Sequence, residues 1–132
     1  MPRQKGRQIE ITPRAKVWLE IDDNYVFGLG ICRILEAVEE TGSIKDAAAA
    51  VGKSYRHVWS RIKEVERAIG ISLVTTQVGG GDARRSTPTE PARQLMAHYR
   101  ELRKQVFNLV DVQFSASIQR IVSEAAETSA EP

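Results

Sequence analysis

Two short apolar repeats, separated by only Gly52, Lys53 and Ser54, constrain this chain more than any other feature. Ile44, Ala47, Ala48 and Val51 recur at the spacing that lines one face of an α-helix. Val58, Ile62, Val65 and Ile69 do the same on a longer segment. Gly52 suits the left-handed residue that ends a helix, and Ser54 suits the cap that starts one. Two helices joined by so short a turn must cross, and the small side chain of Ala48 lets them approach closely. The spacing therefore predicts a helix-turn-helix, with helices over 44–51 and 54–69. The second helix keeps Arg56, His57, Ser60, Arg61, Lys63 and Glu64 on its polar face. Of its aromatic residues, Trp59 is read as core packing and Tyr55 as either core or surface.

The flanking segments extend this unit. Val17, Leu19 and Ile21 alternate with Trp18 and Glu20, the pattern of a half-buried strand. Asp22-Asp23-Asn24 marks a turn, after which Tyr25-Val26-Phe27 pairs back. From Gly28 to Thr41, Ile31, Ile34, Leu35 and Val38 predict a first helix, with Glu36, Glu39 and Glu40 toward solvent. Gly42 stops it and Ser43 caps the next. After Gly70, strands over Leu73–Gln77 and Arg84–Thr87 enclose a loop of Gly79, Gly80, Gly81 and Asp82. A strand-glycine-strand unit directly after the second helix of the motif is the order of a winged helix.

A long helix follows, capped by Thr87 or Thr89. Leu95, Tyr99, Leu102, Val106 and Leu109 repeat alternately every four and three residues, a coiled-coil seam. Phe107, Val110, Phe114, Ile118 and Ile121 form a second stripe. The expected fold is mainly α with a small β wing, a winged helix-turn-helix with a long C-terminal dimerisation helix. Its parts are a flexible basic arm over 1–12, the winged domain over 13–88, the long helix over 89–122 and a disordered acidic tail over 123–132.

Charge is polarised along the chain. The overall balance is only +2. Arg3, Lys5, Arg7, Arg14 and Lys16 nevertheless crowd the front against Glu10, while Asp111, Glu124, Glu127 and Glu131 gather at the end against Arg120. A basic front favours a polyanionic partner. Cys32, the sole cysteine, allows no intrachain disulfide and is read as packed in a helix. His98 is read as a surface residue. One cysteine and two histidines make a structural zinc site unexpected, and no cofactor is expected. No stretch reaches the roughly 20 apolar residues of a membrane span, and the basic N-terminus lacks the apolar core of a signal peptide, so a cytoplasmic protein is expected. No nucleophile elbow, Walker loop or dinucleotide-binding glycine turn is present, so enzymatic chemistry is not expected.

Double-stranded DNA is the partner this pattern favours. A helix entering the major groove reads base edges from its N-terminal residues. The candidate contacts are Ser43, Lys53, Ser54, Tyr55, Arg56, His57, Ser60, Arg61 and Lys63 on the two helices, with Gly80, Gly81, Arg84 and Arg85 on the wing. Arg56 is the candidate base reader, while Lys53, Arg61, Lys63, Arg84 and Arg85 are candidate phosphate neutralisers. The candidate dimer seam is Leu95, Tyr99, Leu102, Val106, Leu109 and Val110.

These segments also carry a resemblance. Thr41-Gly42-Ser43-Ile44 through Ala48, then Gly52-Lys53-Ser54-Tyr55-Arg56 and Trp59, resemble the N-terminal domain of the ModE family of molybdate-responsive bacterial regulators. Leu73-Val74, glycines 79–81, Thr87-Pro88 and the helix with Tyr99 and Phe107 continue it over roughly residues 14–115. More broadly the chain is similar to LysR-type winged helices. The resemblance implies a dimeric repressor or activator that pairs through its long helix and its N-terminal strand region. It places Ser54, Tyr55 and Arg56 at the start of the recognition helix and Gly79, Gly80, Gly81 and Arg84 in the wing. The family's oxyanion-binding modules follow the long helix, whereas this sequence stops at Pro132, so molybdate sensing is not expected of these residues.

The leading expectation is a sequence-specific transcriptional regulator acting as a homodimer on a pseudo-palindromic operator. The alternatives are a module that senses a small anion or other effector, one that docks a regulatory protein, and a non-specific architectural DNA binder relying on Arg3, Lys5 and Arg7.

Overall fold

The computed structural model describes residues 9–79 and 84–130. The chain divides into two compact units, one of them Val17–Arg103 and the other made of the segments on either side of it. Along the chain run β1 (Leu19–Ile21), β2 (Asn24–Phe27), α1 (Leu29–Thr41), α2 (Ile44–Val51), α3 (Tyr55–Ile69), β3 (Val74–Val78), β4 (Arg84–Pro88), α4 (Glu90–Ala116) and α5 (Ile118–Ala130).

Within Val17–Arg103, β1 and β2 form an antiparallel hairpin in which Ile21 pairs with Asn24. Its two-residue turn places Asp22 and Asp23 at φ of 50° and 64°. Positive φ at both positions gives the hairpin a twist compatible with its strands. The expected half-buried strand differs in burial: β1 is exposed throughout, with Leu19 at 40% and Ile21 at 42%. Three residues are too few to cover a face, and the buried anchors of the hairpin are Val26 and Phe27 instead.

Helices α1, α2 and α3 surround a core of Ile31, Leu35, Val58, Ile62 and Val65, closed by Leu73 and by Met96 and Tyr99 of α4. Val38 and Ala47 pack in a smaller adjoining cluster. Each of the first three helices ends on a glycine at φ between 71° and 73°, namely Gly42, Gly52 and Gly70. That left-handed geometry strains any residue with a Cβ and turns the chain sharply. Ser43 and Ser54 accept from the N–H groups of Asp46 and His57, capping α2 and α3.

The wing is the β3–β4 ladder, in register from Val74↔Pro88 to Val78↔Arg84. It is fastened at its base. Ser86 N–H donates to Gly42 O, and Thr89 N–H to Leu73 O, at 2.8 and 2.9 Å. Thr89 also resolves the capping question, because its hydroxyl accepts from Ala92 N–H at 3.2 Å and donates to Ser72 O at 2.7 Å.

In the other unit, the expected single helix over 89–122 is interrupted. α4 stops at Ala116 and α5 begins at Ile118. Ser117 Oγ donates to Gln113 O at 2.6 Å, and its N–H turns to Phe114 O in a tighter turn. A serine hydroxyl bonding back one turn is a recognised cause of helix bending. α5 then continues to Ala130, so the segment expected as a disordered tail from residue 123 is helical that far.

Candidate nucleic-acid interface

The face of α3 opposite its buried stripe is the candidate site. Val58, Ile62 and Val65 fix the helix against the core at 0–1% exposure. Lys53, Ser54, Tyr55, Arg56, His57 and Ser60 are consequently all exposed. Gly52 at φ 72° turns the chain into α3, whose first-turn N–H groups lie at an exposed helix end, that of His57 bound by Ser54 Oγ. Their partial positive charge adds to that of Arg56 and Lys53. Ser43 stands at the matching end of α2, where its hydroxyl is engaged in capping.

Four charged residues of α3 are partly committed within the protein. Arg61 lies 5.1 Å over the Tyr25 ring and pairs with Glu64 at 3.1 Å. Lys63 pairs with Glu66 at 3.1 Å and lies 5.8 Å over the Trp59 ring. Glu66 in turn receives Leu73 N–H at 2.7 Å, joining α3 to the start of the wing. Burial works against the charged Glu66 carboxylate, but the Leu73 and Lys63 hydrogen bonds outweigh it and hold its pKa below the ordinary value.

On the wing, Arg84 and Arg85 are both exposed, and the Arg85 side chain passes close to Gly42. Gly80 and Gly81 lie outside the described residues.

Two expectations require correction. Trp59 is not core: it is 44% exposed. It follows Val58 by one residue, about 100° around the helix and off the buried stripe. Tyr99 is not part of an open seam: it is 3% exposed, edge-on to Phe27 at 5.4 Å, and its hydroxyl donates to Val17 O at 2.8 Å. Leu95 also packs on this core. Of the remaining seam, Leu102 and Leu109 are exposed at 43% and 60%, whereas Val106 and Val110 are half-buried. Cys32 is buried and His98 exposed, as expected.

The arrangement of three helices with a wing after the third defines a winged helix-turn-helix. Residues 29–93 match the model of the bacterial regulatory helix-turn-helix proteins of the lysR family. That segment is a LysR-type helix-turn-helix domain. Among curated proteins, the molybdenum transport protein ModE of Herbaspirillum seropedicae is 36% identical over 54% of this chain and 26% of its own length. ModE of Azotobacter vinelandii is 28% identical over 74% of this chain and 33% of its own. The chain thus spans only a quarter to a third of these relatives. Among solved structures, the CbnR_DBD–DNA complex superposes with a TM-score of 0.51 at 17% identity, covering 67% of this chain and 95% of that one. That likeness establishes the fold. No helix among the described residues is long and apolar enough to cross a membrane.

Proposed function

We propose that this protein is a sequence-specific DNA-binding transcriptional regulator, working as a homodimer on a two-fold-related operator. The observation that carries the reading is the exposed N-terminal half of α3, with Arg56 and Lys53 at the helix end and the opposite stripe of Val58, Ile62 and Val65 buried in the core. Its fold is shared with CbnR_DBD, which has been solved with DNA. Arg56 is the base reader, because a guanidinium matches the two acceptors of a guanine edge. Lys53, Arg84 and Arg85 neutralise phosphates, and Arg61 and Lys63 can do so only by loosening their acidic partners. Exposed Leu102, Leu109 and Val112 on α4 support pairing with a second copy. Two recognition helices would then meet major grooves about 34 Å apart or a multiple of that.

Selection of random and genomic duplexes on the purified protein at about 0.15 M salt tests this, since loose electrostatic binding is screened there. An inverted repeat is the expected result. Retention of DNA without any motif would replace the reading with architectural binding. No retained DNA would favour a module that senses an anion or docks a protein.

A further inference from the structure

The side of α3 that runs from Trp59 to its C-terminal end carries a feature that base reading by its first turn leaves unexplained. Trp59, Lys63, Glu66, Arg67 and Gly70–Ser72 line an open groove of about 350 Å³ between the helix and the segment that follows it. It combines a half-exposed indole, an exposed Ile71 and two cations. Glu66 is the one acidic group in it. Its carboxylate is turned to Leu73 N–H and Lys63, with only 13% of the side chain exposed. The groove therefore keeps a net positive charge, and Arg67 makes no ion pair or hydrogen bond among the described residues.

We propose that this groove seats one strand of the DNA backbone, with a deoxyribose against the Trp59 indole and the adjoining phosphate taken by Arg67 and the Trp59 Nε1–H. The inference rests on the DNA-binding reading above. A recognition helix reads bases from its first turn, so the turns from Trp59 onward rise toward the groove edge, where phosphates lie. The lining matches that surface: an apolar ring for the sugar, a positive charge for the phosphate, and an indole N–H that can only donate. A neutral donor displaces no counterion, whereas an arginine does. The two residues should thus separate in their salt dependence.

The experiment compares wild type, Trp59→Ala, Trp59→Phe and Arg67→Gln on a selected duplex and a scrambled one over a range of salt. Trp59→Ala should weaken both duplexes by a similar factor, about tenfold, with an unchanged salt slope. Trp59→Phe should recover part of that loss. Arg67→Gln should weaken both and reduce the slope of log K against log salt by about 0.9. In Trp18→Phe protein, where Trp59 is the remaining tryptophan, its emission should shift to the blue with either duplex. Loss confined to the selected duplex would make Trp59 a base reader and overturn the proposal. So would unchanged affinity in both Trp59 and Arg67 variants that melt like wild type. If wild type binds neither duplex, the DNA reading itself fails and takes this inference with it.

Discussion

Arg56 and Glu66 stand three turns apart in chemistry though they share one helix: one is left open, the other is fully engaged. Arg56→Ala should cost about 1–3 kcal/mol of operator affinity and relax preference at a single base position. Binding to variant operators checks this, and equal weakening on every sequence would make Arg56 a phosphate contact. Glu66→Gln should destabilise the fold by about 1–2 kcal/mol near neutral pH, because buried N–H groups at the wing base lose a charged acceptor. The sign with pH follows from its lowered pKa. The contribution is complete above the unfolded carboxylate value of about 4.3 and disappears as pH falls through the lower folded value. Urea unfolding from pH about 7 down to about 3 should therefore show wild type and Glu66→Gln converging in acid. Trp59 illustrates how far such detail can be read beforehand. Its size argued for core, yet its position one residue beyond Val58 already placed it off the stripe. Periodicity was the better guide than hydrophobicity.

At the level of elements, turn chemistry was the most legible part. Gly42, Gly52, Gly70, Ser43 and Ser54 all terminate helices as their residue types dictate. Thr89→Ala should lower stability by about 1–2 kcal/mol, since it removes a helix cap and the bond to Ser72 O together. Asp23→Gly should raise the melting temperature slightly, because glycine tolerates the φ of 64° that aspartate must be held in. Thermal unfolding measures both. The break at Ser117 was not legible: no glycine or proline marks it, and serine bonds back into a helix only when the surrounding backbone permits. The heptad at Leu95 and Tyr99 misled for a related reason. A seam spacing says that a face is covered, not by what, and here Phe27 and the rest of the domain core cover it.

For the whole molecule, the proposed pairing rests on the part of α4 beyond Tyr99, where Leu102, Leu109 and Val112 are exposed. Leu109→Asp should shift the protein from dimer to monomer in sedimentation while leaving the helical content of Val17–Arg103 intact, since Leu109 is 60% exposed and outside that unit. Loss of the dimer should also weaken operator binding steeply, because two half-sites are no longer engaged together. A monomeric wild type would remove the two-fold operator from the proposal. The fold class, the helix-turn-helix and the wing were all readable because local spacing encodes them. Subunit pairing was not, because exposed leucines specify stickiness without specifying a partner.

Cys32 shows what close packing does to the chemistry of a side chain. It is 1% exposed, beside Glu36, which in turn holds Arg100 at 2.8 Å. Burial, reinforced by the Glu36 carboxylate, pushes the thiol up to about 11. Almost none of it is thiolate at neutral pH, and thiolate is the form that reacts. The natural cysteine is thus a silent background for chemical labelling. A maleimide dye should attach to a cysteine placed at an exposed position such as Lys53 or Leu109 and leave Cys32 untouched until the fold opens. The same protein would then carry a reporter on either surface, with its own thiol serving as an internal clock for unfolding.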